Sequence, residues 1–199
     1  MHRQGPGPWS LYQDSSGGES WNSGNHVGAD GRLTVKFRGY RVRSESGSAA
    51  GSNGLRALPV VAAETELDFV AAPVDKFWQN FPKALRWRDG ILGIALFPAE
   101  SEGYHELQGG ERKWHLIKFA FGASAEMKNL QAMREPVRVS IDPDWVEHSG
   151  ALVHFVAPHA SESERYNVYV ESVIEGPNSF FENREVIDEY GWRNFGEVY

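Results

Sequence analysis

Apolar and polar residues alternate along residues 33–42, the first part of the chain with a clear pattern. Apolar side chains occupy Leu33, Val35 and Phe37, and Gly39 then interrupts the alternation before the apolar phase resumes. Such an alternation is typical of a half-buried strand, and an internal glycine favours a bulge. The pattern therefore predicts a bulged strand over 33–42. Residues 1–31 are rich in Gly, Ser, Asn and Asp and predict consecutive turns rather than a strand or a helix.

Further strands are predicted where short apolar runs are bounded by turn residues. The most strongly patterned run is 113–121, in which His115, Ile117 and Phe119 share one face and the opposite face is also largely apolar. A strand that is apolar on both faces is expected to be covered on both sides. The remaining candidate strands are 58–61, 65–71, 91–97, 137–141 and 152–156.

Helical periodicity is confined to the later part of the chain. A short helix is predicted over 124–133, and another over 178–190. Between them, Ser161 and Glu164 fit a capping box, and Gly176 with the proline after it fits a helix end. The helix between these signals has an apolar stripe at spacings of three and four, formed by Tyr166, Tyr169, Val170 and Val173.

The order of the elements, with strands first and helices last, restricts the fold class. It predicts an α+β arrangement or, more economically, a mainly β protein. In the second case the fold is a β-sandwich with a short helical C-terminal segment that begins a separate helical domain. Residues 190–199 are rich in aromatic side chains. Because exposed aromatic patches are normally covered by more chain or by a partner, we expect a truncation or an obligate partner at this end.

Length and composition fit one domain with a substantial core, since 199 residues include 41% hydrophobic and 13% aromatic side chains. The formal net charge of −7 gives no long-range positive field that would gather nucleic acid, so local cations must hold any anionic ligand. The chain has no cysteine, which excludes disulfides and thiol chemistry. No apolar stretch has the length of a signal peptide or a membrane span. We therefore expect no nucleic-acid or membrane partner and, for the chain as written, a cytoplasmic location, while export of a longer gene product stays open.

The densest group of chemically active side chains lies at 104–115. It combines two imidazoles, two carboxylates, an amide and two cations around Gly109 and Gly110. Apolar faces with a few convergent polar groups are what a sugar or sugar acid requires. The run therefore predicts such a site, although a hairpin or bulge explains the two glycines equally well. His115 is in strand phase with Ile117 and Phe119 and is interpreted as a hydrogen-bonded core histidine rather than a catalytic one.

Four separated segments carry a resemblance to a known family, namely 14–21 (DSSGGESW), 77–84 (FWQNFPKA), 105–111 (HELQGGE) and 183–196. Together they resemble the exo-acting rhamnogalacturonan lyases of polysaccharide lyase family 26 and their YetA-like bacterial relatives. Those proteins have an N-terminal barrel, a central β-sandwich and a C-terminal α/α toroid.

The resemblance implies a division of the chain into two domains. Residues 1–175 would form the central β-sandwich, with a turn-rich lead-in at 1–31, and residues 176–199 would begin a truncated toroid. The expected partners are a polysaccharide or oligosaccharide that contains uronic acid, together with the missing barrel and toroid domains. Whether the chain is an enzyme by itself stays open, because most of the toroid is expected to be absent.

The activity that the resemblance implies is β-elimination beside a uronic acid in a rhamnogalacturonan-like glycan. This reaction needs a cation that neutralises the carboxylate, a base that removes the adjacent proton and an acid that protonates the leaving oxygen. The catalytic candidates are His105, Glu106, Tyr190 and Arg193. The substrate-binding candidates are Gln108, Glu111, Lys113, Trp21 and His26. Base and acid are not assigned among these residues, and neither a metal nor another cofactor is expected.

Each candidate also has a structural interpretation. Trp21 and His26 fit the anchor of a turn-rich loop, and Tyr190 with Arg193 fits a contact between domains. Residues 77–82 fit packing against a neighbouring domain as well as a platform for stacking. The alternative function is therefore a non-catalytic domain, either a carbohydrate-binding β-sandwich or a structural one.

Overall fold

The computed structural model describes residues 7–44, 51–64, 68–102, 104–123, 139–157 and 164–195. Within them the protein is mainly β, with two antiparallel sheets and a short C-terminal helix. The chain divides into two compact units, of which one combines Met1–Glu135 with Val186–Tyr199 and the other is Pro136–Glu185. None of the described helices is long and apolar enough to cross a membrane.

The described residues of the first unit contain eight strands. In chain order they are β1 (Trp9–Gln13), β2 (Tyr40–Ser44), β3 (Asn53–Gly54), β4 (Val60–Glu64), β5 (Asp68–Pro73), β6 (Lys83–Arg88), β7 (Ile91–Ala95) and β8 (Ala120–Ala123). One sheet has the order β3-β2-β1-β6-β7 and the other has the order β4-β5-β8. All their pairings are antiparallel.

Side chains of both sheets meet in one hydrophobic cluster. Leu11, Val42 and Leu85 come from adjacent strands of the five-stranded sheet, where Leu11 is the register partner of both others. Val61 of β4 and Val74, just after β5, belong to the same cluster. Removal of these apolar surfaces from water is what stabilises the joint packing of the two sheets.

A buried polar turn follows β1 and replaces part of a predicted strand. The Asp14 carboxylate accepts hydrogen bonds from the backbone N–H groups of Lys36 and Phe37, at 2.5 and 2.8 Å. Ser15 Oγ accepts from the Gly39 N–H at 2.8 Å. These side chains use the backbone donors that a strand over 33–42 would need for its ladder. The predicted strand is therefore wrong in extent, since only Tyr40–Ser44 is paired as β2.

Some of the other predicted strands are present in the structure, and others are shorter or absent. The strands predicted at 58–61, 65–71 and 91–97 are confirmed as β4, β5 and β7 with shifted ends. The strand predicted over 113–121 is shorter, because its early part makes only one isolated bridge, from Ile117 to Val74, before β8 begins. Residues 152–156 lack strand pairing and lie in turns and irregular backbone. The helix predicted over 124–133 lies outside the described residues.

Three of the described strands were absent from the sequence prediction, namely β1, β6 and the two-residue β3. β1 lies inside the segment that was predicted to contain only turns, and it occupies the centre of the five-stranded sheet. β6 pairs with it along its length, from Trp9 with Trp87 to Gln13 with Lys83. The turn prediction for residues 1–31 is therefore wrong for Trp9–Gln13. Pairing on both sides explains why a short segment between glycine-rich stretches is extended.

The second unit contains helical segments. The Asp142 side chain caps α1 (Pro143–Ser149) by accepting a hydrogen bond from the Asp144 N–H at 3.0 Å, and Gly150 ends the helix with a positive φ of 64°. α2 (Glu164–Glu175) confirms the predicted central helix and ends beside Gly176. α3 (Phe180–Ile187) confirms the last predicted helix over a shorter range and leads back into the first unit.

The segment after α3 is fixed in the first unit by a buried carboxylate. Asp188 is fully buried, accepts a hydrogen bond from the Ser16 hydroxyl, and lies 2.6 Å from His26 Nε2. Ser23 Oγ and Asn25 Nδ2 both donate to the Ile187 carbonyl, each at 2.8 Å. These contacts determine where the chain continues after the helix.

The aromatic residues beyond Asp188 pack inward, contrary to the expectation of bare aromatic surface. Tyr190 is 2% exposed and lies between Trp78, at a ring distance of 4.9 Å, and Phe195, at 5.8 Å. The Gly191 N–H donates to the Gln79 carbonyl at 2.8 Å. The expectation is therefore wrong for the described residues 190–195, which the first unit itself covers.

Gly39 provides a test of the close approach between the residue before β2 and the end of β3. Its φ is +81°, and a Cβ there would lie 2.0 Å from the Gly54 carbonyl oxygen. We expect Gly39→Ala to lower the free energy of unfolding by about 3 kcal/mol or more, because a backbone clash adds to the left-handed strain. Urea denaturation monitored by tryptophan fluorescence measures this change.

Gly31→Ala is the matched control. Gly31 also has a positive φ, +75°, but a Cβ there would meet nothing within 4 Å. Only the conformational cost of about 1 kcal/mol is expected. Equal losses in the two variants would contradict the proposed close approach at Gly39.

Candidate functional site

Basic and aromatic side chains of the first unit converge on one region, which we call the Lys83 cluster. It draws on β6, the segment after β7, the segment before β8 and the C-terminal segment. Its members are Lys83, Phe97, His105, Lys113, His115 and Trp192.

Lys83 is the most unusual member, because it points to the interior. It begins β6 in the same strand phase as the buried Leu85, and it is 1% exposed. Its register neighbour Gln13 is already engaged with the Ala57 N–H and the Leu55 carbonyl. The Lys83 Nζ accordingly finds no hydrogen-bond partner within the described ranges. A buried amine without a partner is costly, since its charge is neither hydrated nor paired.

Burial, and after it the nearby charge of Lys113, together lower the pKa of Lys83 from its ordinary value to about 7. Asp75 acts in the opposite direction and offsets part of this change. At neutral pH the site therefore contains both the ammonium and the free amine. Such an amine can bind an anion in one state and accept a proton in the other.

His115 is half-buried as a residue, but both of its ring nitrogens are buried. Neither its Nδ1 nor its Nε2 has a hydrogen-bond partner among the residues that the structure describes. Burial, and after it the charges of Lys83 and Lys113, together lower the pKa of His115 to about 4. The imidazole is therefore neutral at pH 7. The interpretation of His115 as a hydrogen-bonded core histidine is wrong, because its ring nitrogens lack partners there.

Aromatic rings form the apolar part of the site. The Phe97 ring centroid lies 4.9 Å from His105, 5.5 Å from His115 and 5.7 Å from Trp192. His105 and Trp192 are also in contact, with ring centroids 5.3 Å apart. Burial lowers the pKa of His105 as well. The group therefore offers flat apolar surfaces beside two neutral imidazoles.

The C-terminal segment holds this arrangement together. The Trp192 N–H donates to the Phe81 carbonyl at 2.7 Å, just before β6 begins. Lys113 Nζ donates to the Phe195 carbonyl at 2.8 Å. The position of Trp192 and the direction of the Lys113 side chain thus depend on the same short segment that follows Asp188.

The candidates predicted in the run 104–115 separate into two groups. His105 and Lys113 belong to the Lys83 cluster. Glu106, Gln108 and Glu111 are exposed, and the Glu111 carboxylate accepts a hydrogen bond from the Gln108 N–H at 2.8 Å. The structure therefore brings together part of this run and leaves its acidic side chains facing solvent.

The remaining predicted site residues lie elsewhere in the first unit. Tyr190 is buried among aromatic rings, and Arg193 is exposed. His26 is 4% exposed and is held by Asp188. Trp21 is half-buried against the cluster that contains Trp78 and Tyr190. Their predicted roles in catalysis and substrate binding stay predictions. Trp21 and Tyr190 make packing contacts, and His26 makes a polar contact with Asp188.

Sequence reasoning did not select Lys83, Phe97 or Trp192 for the site. A signal for Lys83 was present, since it alternates in phase with Leu85 and Trp87 and thus occupies a core position of a strand. Phe97 and Trp192 had no local signal, because only the tertiary fold brings them to His105.

The chemistry available to the Lys83 cluster is anion binding and proton transfer. Two lysines supply positive charge, and two imidazoles can accept or donate protons. Among the described residues, no group of three or more His, Asp or Glu side chains is placed to hold a metal ion.

Comparisons with protein-family models, with curated proteins and with solved structures return no match.

The buried Lys83 has a measurable effect on the pH dependence of stability. Its pKa is 10.5 when unperturbed and about 7 in the folded protein. Between these values the unfolded state binds more protons, so stability rises with pH, and the full difference corresponds to roughly 5 kcal/mol. His115 contributes in the same direction between pH 4 and 6.5. We expect Lys83→Met to be more stable than the wild type at pH 6.5 and to lose most of the gain between pH 6.5 and 9.

Urea denaturation at the two pH values measures the free energies of unfolding. Lys76→Met serves as the control, since Lys76 is an exposed lysine in the same unit. That variant should keep the wild-type gain in stability between the two pH values. Parallel pH profiles for the wild type and Lys83→Met would show that the buried amine does not titrate as described.

Proposed function

We propose that the Lys83 cluster binds the carboxylate of an acidic sugar in a uronic-acid-containing glycan. The observation that carries the proposal is the buried Lys83 Nζ, which has no hydrogen-bond partner in the described part of the chain. A ligand carboxylate would supply the missing acceptor. Because it would also favour the charged ammonium, it would offset the cost that lowers the pKa of Lys83.

The surroundings of Lys83 favour a sugar acid over a small inorganic anion. Phe97 and Trp192 provide apolar ring faces of the kind on which the C–H face of a sugar packs. The neutral imidazoles of His105 and His115 lie beside these rings and offer both donors and acceptors to hydroxyl groups. An inorganic anion would use the charge of the lysines and leave these groups unused.

We further propose that this site serves a polysaccharide lyase reaction, as the resemblance to rhamnogalacturonan lyases implies. Lys83 and Lys113 would neutralise the carboxylate, so that the proton on the adjacent ring carbon becomes more acidic. A neutral imidazole, His115 or His105, would accept that proton. The acid that protonates the leaving oxygen is not assigned, and Glu106, Tyr190 and Arg193 keep the catalytic roles predicted for them only within this proposal.

The finer architecture also belongs to this proposal. The two sheets that share the Leu11 cluster would form the central β-sandwich of the family, and the last helix would begin its α/α toroid. The barrel and the rest of the toroid would then be partners of this chain, and full turnover would depend on them.

A second candidate function is glycan binding without catalysis. It is favoured by one observation, which is that only His105 among the four predicted catalytic residues lies in the Lys83 cluster. Glu106 and Arg193 are exposed, and Tyr190 is enclosed by Trp78 and Phe195. A domain that only binds a glycan does not need a catalytic acid and a catalytic base close to each other.

Binding of the carboxylate can be tested with two matched ligands. We expect isothermal titration calorimetry to detect a galacturonic acid oligosaccharide and to show at least about tenfold weaker binding of its methyl ester, which lacks the charge that the lysines recognise. Lys83→Met should weaken binding of the acid by a similar factor and leave the ester unaffected. Equal affinities of acid and ester in the wild type would refute recognition of the carboxylate.

Lys76→Met is again the control for the loss of a lysine, because Lys76 is exposed and lies in the same unit. It should bind the acid as the wild type does. If it loses affinity to the same degree as Lys83→Met, the effect reflects net charge rather than the buried amine.

A half-reaction separates the lyase from the binding domain. A lyase site removes the proton on the ring carbon next to the carboxylate before the leaving oxygen is expelled. In D₂O this proton is therefore exchanged for deuterium even when elimination does not follow. We expect nuclear magnetic resonance to detect this exchange with the wild type and to show its loss in His115→Phe, which keeps an aromatic ring beside Phe97. His154→Phe, at an exposed histidine, is the control. Binding without exchange would favour the non-catalytic function.

A further inference from the structure

A second group of cations lies on the five-stranded sheet, in the strand phase opposite to the buried Leu11, Val42 and Leu85. We call it the arginine face. It consists of two arginines of β2 and two of β6, which alternate with the buried residues of those strands: Arg41, Arg43, Arg86 and Arg88.

The register places two of these arginines in one row across the sheet. Arg43 pairs with Ser10, Ser10 pairs with Arg86, and Arg86 pairs with Gly93. Ser10, between the two arginines, and Gly93, beside Arg86, are both small. The two long cationic side chains of this row therefore have no large neighbour within it. Strand spacing separates the backbones of Arg43 and Arg86 by about 10 Å, and Arg41 and Arg43 are about 7 Å apart along β2.

The arginine face already holds one carboxylate of the chain itself. Arg86 binds Glu100 with one guanidinium nitrogen 2.5 Å from each carboxylate oxygen. Burial acts to raise the pKa of Glu100, but the hydrogen bonds from Arg86 and the charges of Arg86 and Arg43 lower it overall. This part of the surface therefore stabilises an ionised carboxylate that is brought to it.

Arg41 is oriented by an aromatic ring. Its guanidinium carbon lies 3.8 Å from the centroid of Phe37, and the Phe37 ring in turn packs edge-on against Tyr12 at 5.9 Å. Stacking of this kind fixes the plane of the guanidinium, so less side-chain freedom is lost when it binds a planar carboxylate.

We propose that the arginine face is a second contact surface for a carboxylate-bearing glycan, in which Arg41 and Arg43 hold ligand carboxylates as Arg86 holds Glu100. The inference rests on the proposed function, because it assumes the same class of polymer. The fixed spacings of the arginines suit a chain whose carboxylates recur at intervals. The chain's formal net charge of −7 disfavours nucleic acid, whose binding relies on a long-range positive field.

The arginine face and Lys83 lie on opposite sides of the same sheet, because Lys83 is in phase with the buried Leu85 and Arg86 is not. A short oligosaccharide can therefore occupy only one of them at a time. Loss of the arginines should affect a long polymer and spare a short oligosaccharide that binds to the Lys83 cluster.

The test compares polygalacturonate with a galacturonic acid disaccharide on the intact chain. We expect Arg41→Ser combined with Arg43→Ser to weaken binding of the polymer by about tenfold and to make its salt dependence shallower, with unchanged affinity for the disaccharide. The control combines Arg32→Ser with Arg165→Ser, which removes the same charge from exposed positions. Circular dichroism of each variant confirms that the sheet is intact.

The possible outcomes separate the two proposals. If the wild type binds the disaccharide and the two double variants bind the polymer equally well, the arginine face is refuted and the proposed function stands. If the wild type binds neither ligand, both proposals fail. If polyglutamate competes with polygalacturonate at equal charge concentration, the surface takes acidic chains of any backbone and the assignment to a glycan is overturned.

Discussion

The buried carboxylate of Asp188 is the interaction on which the arrangement of the first unit depends. It joins the turn after β1, through Ser16, to the short helical turn that contains His26 and to the end of α3. A fully buried charge is tolerated only when polar groups surround it, and here a hydroxyl and an imidazole do so. The segment that follows Asp188 is fixed as a result, and with it the positions of Tyr190 and Trp192. The packing of that segment and the geometry of the Lys83 cluster thus have a common origin.

The first unit contains two buried ionisable side chains whose surroundings differ. Asp188 is buried and satisfied, whereas Lys83 is buried without a hydrogen-bond partner among the described residues. The first stabilises the fold, and the second reduces stability at neutral pH. A structure in which one interior charge is so completely compensated and another is not points to a functional reason for the second. Aromatic rings lie beside His105 and His115 in the same region.

The sequence was informative where a local period decides the structure. β7 and the paired strands β4 and β5 follow from short apolar runs between turn residues, and α2 follows from its apolar stripe. β1 was missed because its extended conformation depends on β2 and β6 rather than on its own pattern. The alternation over residues 33–39 predicts a strand, but none forms there because Asp14, distant in sequence, accepts hydrogen bonds from the backbone donors that a ladder would use. At the site, the motif at 104–115 was enough to predict His105 and Lys113 as site residues. Their proximity to Phe97 and Trp192 could not be predicted, because it arises only from tertiary packing.

β6 carries the buried lysine at its first residue and a half-buried arginine three residues later, so one strand presents unlike cations to the two sides of a sheet. Strand geometry gives successive side chains to opposite faces, and a slip of one residue reverses all of them. Deletion of a single residue within β6 would therefore direct an arginine into the apolar interior and expel leucine to water. Length variation at this strand is for that reason far less tolerable than substitution.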